Sequence, residues 1–164
     1  MFTSKHRFRT VDSWESRPKV WRCVNHLIPP DKVLYEPFDP TGSGGAILRA
    51  LGHTVISSST DFFSTEPQGD ITVTNPPFSI TKDVLTHLKA QGRPFIVILP
   101  LFKIITVAVR ELFRNDPDYQ LVFPRGRFEF LPGSDRAGIV NKRCSFDCCY
   151  IFYKIKLKHD ITYL

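Results

Sequence analysis

Lys32-Val33-Leu34-Tyr35-Glu36-Pro37-Phe38-Asp39-Pro40-Thr41-Gly42-Ser43-Gly44-Gly45 sets the architecture of this chain. Its first half is apolar up to an acid and reads as a buried strand. Its second half is a glycine-rich turn. A short helix follows from about Ala46 to Leu51, with Gly52 as its C-terminal stop, and His53 to Ser57 reads as a second strand. Strand, helix and strand in that order make a parallel pair. A glycine turn at the carboxyl end of such a strand lies where open α/β sheets take their ligands.

Outward from this unit the alternation continues. Asp61 to Asp70 is a loop by composition, and Ile71-Thr72-Val73-Thr74 is a strand ending on Asn75-Pro76-Pro77-Phe78. A helix opens at Thr81 or Lys82, carries Val84, Leu85 and Leu88 on one face and closes at Gln91-Gly92. Pro94 to Pro100 is apolar throughout, as in a strand covered on both faces. Residues 103–114 read as a helix and Tyr119 to Phe123 as a strand. Phe128-Glu129-Phe130 and Phe146 to Ile155 read as strands joined by a loop around Pro132-Gly133-Ser134. Upstream, a helical pattern runs from Pro18 through Val20, Trp21, Val24, Leu27 and Ile28 until Pro29-Pro30 stop it. Residues 1–13 are polar and basic and read as a flexible arm. The expectation is an α/β fold: a doubly wound, mostly parallel sheet in one domain over residues 14–164.

The 164 residues are 42% hydrophobic, enough for one proper core. The net charge of +6 makes a polyanion a plausible partner, and Arg125, Arg127, Lys142 and Arg143 are candidates for phosphate contacts. Cys23, Cys144, Cys148 and Cys149 lack paired spacing, so neither a metal site nor a disulfide framework is expected. Cys148 and Cys149 sit in an apolar run and read as core. No signal peptide is visible, and no apolar stretch approaches the ~20 residues of a membrane span. An intracellular protein is the expectation.

Two turns carry the chemistry. In the first, glycines allow close backbone approach to a ligand, and the helix start offers N–H groups to an anion. A bare Gly-x-Gly-Gly is equally a plain strand-to-helix turn. Glu36 or Asp39 beside it adds a carboxylate able to hold an ammonium or a ribose hydroxyl. In the second turn, Pro76 and Pro77 fix the backbone just past a strand, so that the Asn75 side chain and the Pro76 carbonyl aim at one spot. Two acceptors on the hydrogens of an adenine amine would favour its nucleophilic form and the positive charge that grows on it. Phe78 would give an unstacked base a face worth roughly 1–3 kcal/mol.

With these residues the chain resembles the class I S-adenosylmethionine-dependent amino-methyltransferases, whose signature pairs a glycine turn with Asn/Asp-Pro-Pro-aromatic. It is most similar in pattern to the small adenine-N6 DNA methyltransferases of phages and large DNA viruses. Those also carry a Gly-Arg-x-x-Phe segment, matched by Gly126-Arg127-Phe128-Glu129-Phe130. The resemblance covers roughly Trp14 to Tyr153. It implies S-adenosylmethionine as cofactor and a Rossmann-like, reduced methyltransferase fold. It assigns Asn75, Pro76, Pro77 and Phe78 to the target amine. Pro18, Glu36, Phe38, Asp39, Gly42 and Gly44 would line the cofactor pocket, with Asp61 and Phe62 at the cofactor adenine. Arg127 becomes the foremost nucleic-acid contact.

Two departures shape the expectation. An acid usually ends the second strand and grips the ribose; here Ser57, Ser58 and Ser59 stand there, which leaves that task to Glu36 or Asp39. The span from Glu36 to Asn75 holds one helix, one strand and a loop, so one strand–helix unit of the usual fold is missing. The implied reaction is direct in-line transfer to the amine, with no covalent cysteine step. The target base must be flipped out or already unpaired. With no insertion for target recognition, specificity would come from a second copy or a partner subunit. RNA adenine, RNA guanine N2 and a protein glutamine amide are rival substrates. A methyltransferase-like subunit that binds nucleic acid without catalysis is the alternative outside enzymes.

Overall fold

The computed structural model describes residues 14–58, 60–128, 130–132 and 146–164. The basic arm of residues 1–13, and with it Lys142, Arg143 and Cys144, lies outside the described residues. In chain order the elements are β1 (Trp14–Ser16), α1 (Pro18–Arg22), β2 (Val33–Glu36), α2 (Ser43–Ala50), β3 (Thr54–Ser57) and β4 (Ile71–Thr74). They continue as α3 (Thr81–Gln91), β5 (Phe95–Pro100), α4 (Leu101–Ile104), α5 (Val107–Leu112), β6 (Tyr119–Phe123), β7 (Phe130–Pro132), β8 (Cys148–Tyr153) and β9 (Ile161–Tyr163).

Among the described residues, seven strands form one sheet in the order β3-β2-β4-β5-β8-β6-β9. The pairs β2–β3, β2–β4, β4–β5 and β6–β9 are parallel; β8 runs antiparallel between β5 and β6. β1 and β7 make a separate antiparallel pair. The doubly wound, mostly parallel α/β expectation is met. Among the described residues, only α2 and β3 lie between β2 and β4, and β3 is the sheet edge.

The winding follows from the period-2 pattern of the central strands. Ile96 and Ile98 of β5, with Tyr150 and Phe152 of β8, pack on the face covered by α1 and α2. Phe95, Val97 and Leu99, with Ile151 and Tyr153, pack on the face covered by α3, α4 and α5. Two apolar layers on one sheet explain why these strands read as unbroken hydrophobic runs.

Several elements differ from the sequence reading; the strand expected over Phe128-Glu129-Phe130 is instead β7, Phe130–Pro132. The helix expected from Pro18 to Ile28 stops at Arg22 and continues as a 3-10 turn over Asn25–Leu27. There the bonds run three residues back, from Leu27 N to Val24 O and from Ile28 N to Asn25 O. Asn25 is held from outside, its Oδ1 lying 2.8 Å from His53 Nε2. The helix expected over 103–114 breaks at Thr106, which is extended and caps α5 through Val109 N. A β-branched run from Ile104 to Val107 disfavours an unbroken helix at that point. Finally, β1 and β9 are three-residue strands that no local pattern announces.

Candidate active site

From β2 the chain leaves through α2 to one face of the sheet and reaches β3 on one side. From β4 it leaves through α3 to the other face and reaches β5 on the other side. The crevice between the carboxyl ends of β2 and β4 is therefore the topological switch point, where such sheets bind ligands. Glu36 ends β2 and Asn75 follows β4, so both turns singled out in the sequence flank this crevice.

Glu36 joins them. Its side chain is 3% exposed, and its Oε1 accepts from Phe38 N at 3.1 Å and from the Thr74 hydroxyl. The Asn75 backbone N–H also donates to it. Burial, seconded by the nearby Asp39 charge, outweighs these bonds and raises the carboxyl pKa to about 8. On the far side of the turn, a Cβ placed on Gly44 would lie 3.4 Å from Asp39 Oδ1 and 3.5 Å from Glu36 Oε2. The missing methyl thus opens a cradle faced by two carboxyl groups. Gly42 enters α2 at φ +75°, a left-handed conformation that favours glycine.

The start of α2 differs from the expectation. Asp39 Oδ1 accepts from Gly44 N at 3.0 Å and Oδ2 from Gly45 N at 2.8 Å, so these two N–H groups serve an internal cap. Phe38 and Phe62 stack aslant, 4.8 Å between centroids, and give the turn an apolar wall. Asp61 is exposed and organises its own loop, accepting from Phe63 N and the Thr65 hydroxyl. Pro18 is the exposed first residue of α1.

Asn75 is half-buried, and its Nδ2 donates to Ser16 Oγ at 3.2 Å, which fixes the direction of Oδ1. Pro76 is buried, Pro77 partly so. Phe78 is 5% exposed and lies edge-on to Phe146, so its ring belongs to the core beneath the corner. Arg125 and Arg127 are exposed, and Arg127 Nε pairs with Asp147 at 3.0 Å. Among the described residues no His, Cys, Asp and Glu cluster could hold a metal ion.

Ser16, Thr74 and Arg49 escaped the sequence reading. Arg49 Nη2 donates to Val55 O at 2.9 Å and to Ser57 Oγ at 3.2 Å, which brings a cation to the end of β3 where an acid usually stands. Thr74 had a signal, since a buried strand hydroxyl needs a partner. Ser16 had none, lying 59 positions from Asn75.

No protein-family model matches the chain, and a sequence search of curated proteins returns no match. Solved structures do match. The 23S rRNA methyltransferase ErmE superposes with TM-score 0.53 at 13% identity, over 85% of this chain and 69% of that one. A candidate RNA methyltransferase from Pyrococcus horikoshii gives 0.50 at 14%, over 86% and 82%. A dimethyladenosine transferase from Plasmodium falciparum gives 0.50 at 11%, over 86% of this chain and 63% of its own length. The fold is the Rossmann-like fold of methyltransferases.

Proposed function

We propose that this protein is an S-adenosylmethionine-dependent methyltransferase acting on the N6 amine of adenine in nucleic acid. One observation carries the reading: Glu36 accepts hydrogen bonds from both strand ends of the switch-point crevice, tying the glycine turn to the Asn75 corner. The cradle at Gly44, with two carboxyl groups around it, fits the ammonium and hydroxyl groups of such a cofactor. Phe38 and Phe62 supply the apolar wall its adenine needs. When bound, the cofactor supplies an electrophilic methyl group on a sulfonium.

The chain's own residues do the rest. Asn75, steadied by Ser16, and the Pro76 carbonyl accept the two amine hydrogens, orient the nitrogen lone pair and stabilise the charge that grows on it. Glu36 and Asp39 hold the cofactor end of the crevice. The amine loses its proton to water after methylation. An RNA substrate is supported by what the similar structures are described as acting on; the Asn-Pro-Pro-Phe and Gly-Arg-x-x-Phe pattern favours DNA.

The test is incubation with labelled cofactor and matched single- and double-stranded DNA and RNA, followed by nucleoside mass spectrometry. N6-methylated adenine nucleoside is the expected product. Asn75→Ala should lower turnover by about 10²-fold or more while the protein stays folded, with a modest drop in melting temperature from the lost Ser16 bond, and keeps cofactor binding. Label on guanine, or undiminished turnover in Asn75→Ala, would refute the assignment.

A second reading has its own support. The internal cap on α2 and the Arg49–Ser57 pair in place of an acid suit a methyltransferase-like subunit that binds nucleic acid without cofactor. A silent calorimetric titration with S-adenosylmethionine would favour it.

A further inference from the structure

Past the carboxyl end of β5, Ile104 and Val109 pack on the sheet, but other apolar side chains are left in solvent. Phe102, Ile105 and Val107 stand 50%, 63% and 64% exposed on α4, α5 and the turn between them. A cluster of large apolar side chains in solvent marks a contact surface. This one is connected to the candidate site. The Phe102 ring meets Phe146 edge-on at 5.7 Å, and Phe146 meets Phe78 edge-on at 5.7 Å. Phe102 is thus two ring contacts from the Asn75-Pro76-Pro77-Phe78 corner. The same neighbourhood holds the Arg127–Asp147 pair, since the Asp147 carbonyl accepts the Leu101 N–H at 2.8 Å.

Charge identifies the partner. α4, α5 and the turn between them carry Lys103, Arg110 and a single acid, Glu111, whose charge is met by Arg114. Lys103 Nζ stands over the Phe102 ring at 5.8 Å from its centroid. Arg110 follows Val107 by three positions on α5, on the same helix face. Protein–protein interfaces are depleted in lysine, whereas exposed aromatics among cations are what a phosphate-linked chain of flat rings requires.

We propose that this ridge binds the single strand flanking the target nucleotide, with Phe102 stacking on an unpaired base and Lys103 and Arg110 meeting its phosphates. The inference rests on the adenine methyltransferase reading above and extends it. Stacking is indifferent to base identity, which suits a chain without a target-recognition insertion.

The experiment is fluorescence anisotropy with short labelled single-stranded DNA and RNA over a salt series. Phe102→Ala should weaken binding about ten-fold without changing the salt slope, because stacking releases no counterions. Phe102→Trp should restore it. Lys103→Ala with Arg110→Ala should flatten the slope by about two counterions' worth. Ile105→Glu, on an exposed side chain, should weaken binding and spare the fold. Wild-type affinity in Phe102→Ala, or no binding by the unmodified protein, would overturn the proposal. So would a wild-type dimer that Phe102→Ala dissociates in sedimentation, since the ridge would then cover a second copy. The two readings separate cleanly. Phe102-dependent binding without adenine methylation sinks the enzyme and leaves the ridge; methylation with Phe102-independent binding does the reverse.

Discussion

Glu36 is the residue whose environment makes the sharpest demand. Its folded pKa of about 8 lies above the ordinary value of 4.5, so the fold prefers the protonated carboxyl. That preference stabilises the protein fully below about pH 4.5 and is lost as pH rises through about 8. Glu36→Gln, which copies the protonated form, should therefore gain melting temperature relative to wild type between about pH 5 and pH 8. A bound ammonium reverses the preference, so cofactor binding should expel a proton and tighten with rising pH up to about 8. Calorimetry in buffers of different ionisation enthalpy reads both, and an affinity that falls across this window would remove Glu36 from the contact. The glycines divide the labour differently. A Cβ at Gly45 would meet Ser57 Oγ at 2.0 Å, so Gly45→Ala should cost about 1–3 kcal/mol in denaturant unfolding. A Cβ at Gly44 makes ordinary contacts of 3.4 and 3.5 Å, so Gly44→Ala should keep stability and lose cofactor binding.

At the scale of elements, α2 depends on its internal cap. Asp39→Ala leaves the Gly44 and Gly45 N–H groups without their acceptor and should cost about 1–2 kcal/mol by thermal unfolding, with Asp39→Asn recovering only part of it, because its one amide oxygen can serve only one of the two N–H groups. Strands were the legible elements. Ile71–Thr74 and Tyr119–Phe123 fall where the sequence put them, because burial on one or both faces imprints itself on every residue. Helices were overread where apolar spacing recorded contact with the sheet and not hydrogen-bond continuity: Val20, Trp21, Val24 and Ile28 are all buried, yet the helix ends at Arg22. The candidate site divides along the same line. Glu36, Gly44 and Asn75 were readable because one turn fixes each of them. Ser16 and Arg49 were not, since their roles exist only once β1 reaches Asn75 and α2 lies along β3.

For the whole molecule the governing fact is one sheet wound in two directions, with the crevice where the directions part. The sequence carried that topology through strand–helix alternation and through the short span between Glu36 and Asn75. It did not reveal the insertion of β8 between β5 and β6, because pairing order depends on distant strands. The described residues of the connection from β3 to β4, 58 and 60–70, contain neither helix nor strand. On the proposed reading, a spent cofactor that left past that connection would bend a loop and need not pry an element off the sheet. Release should then outpace bond-making, so rapid-quench time courses should rise linearly from the first turnover, and a burst would mean that something else closes the door.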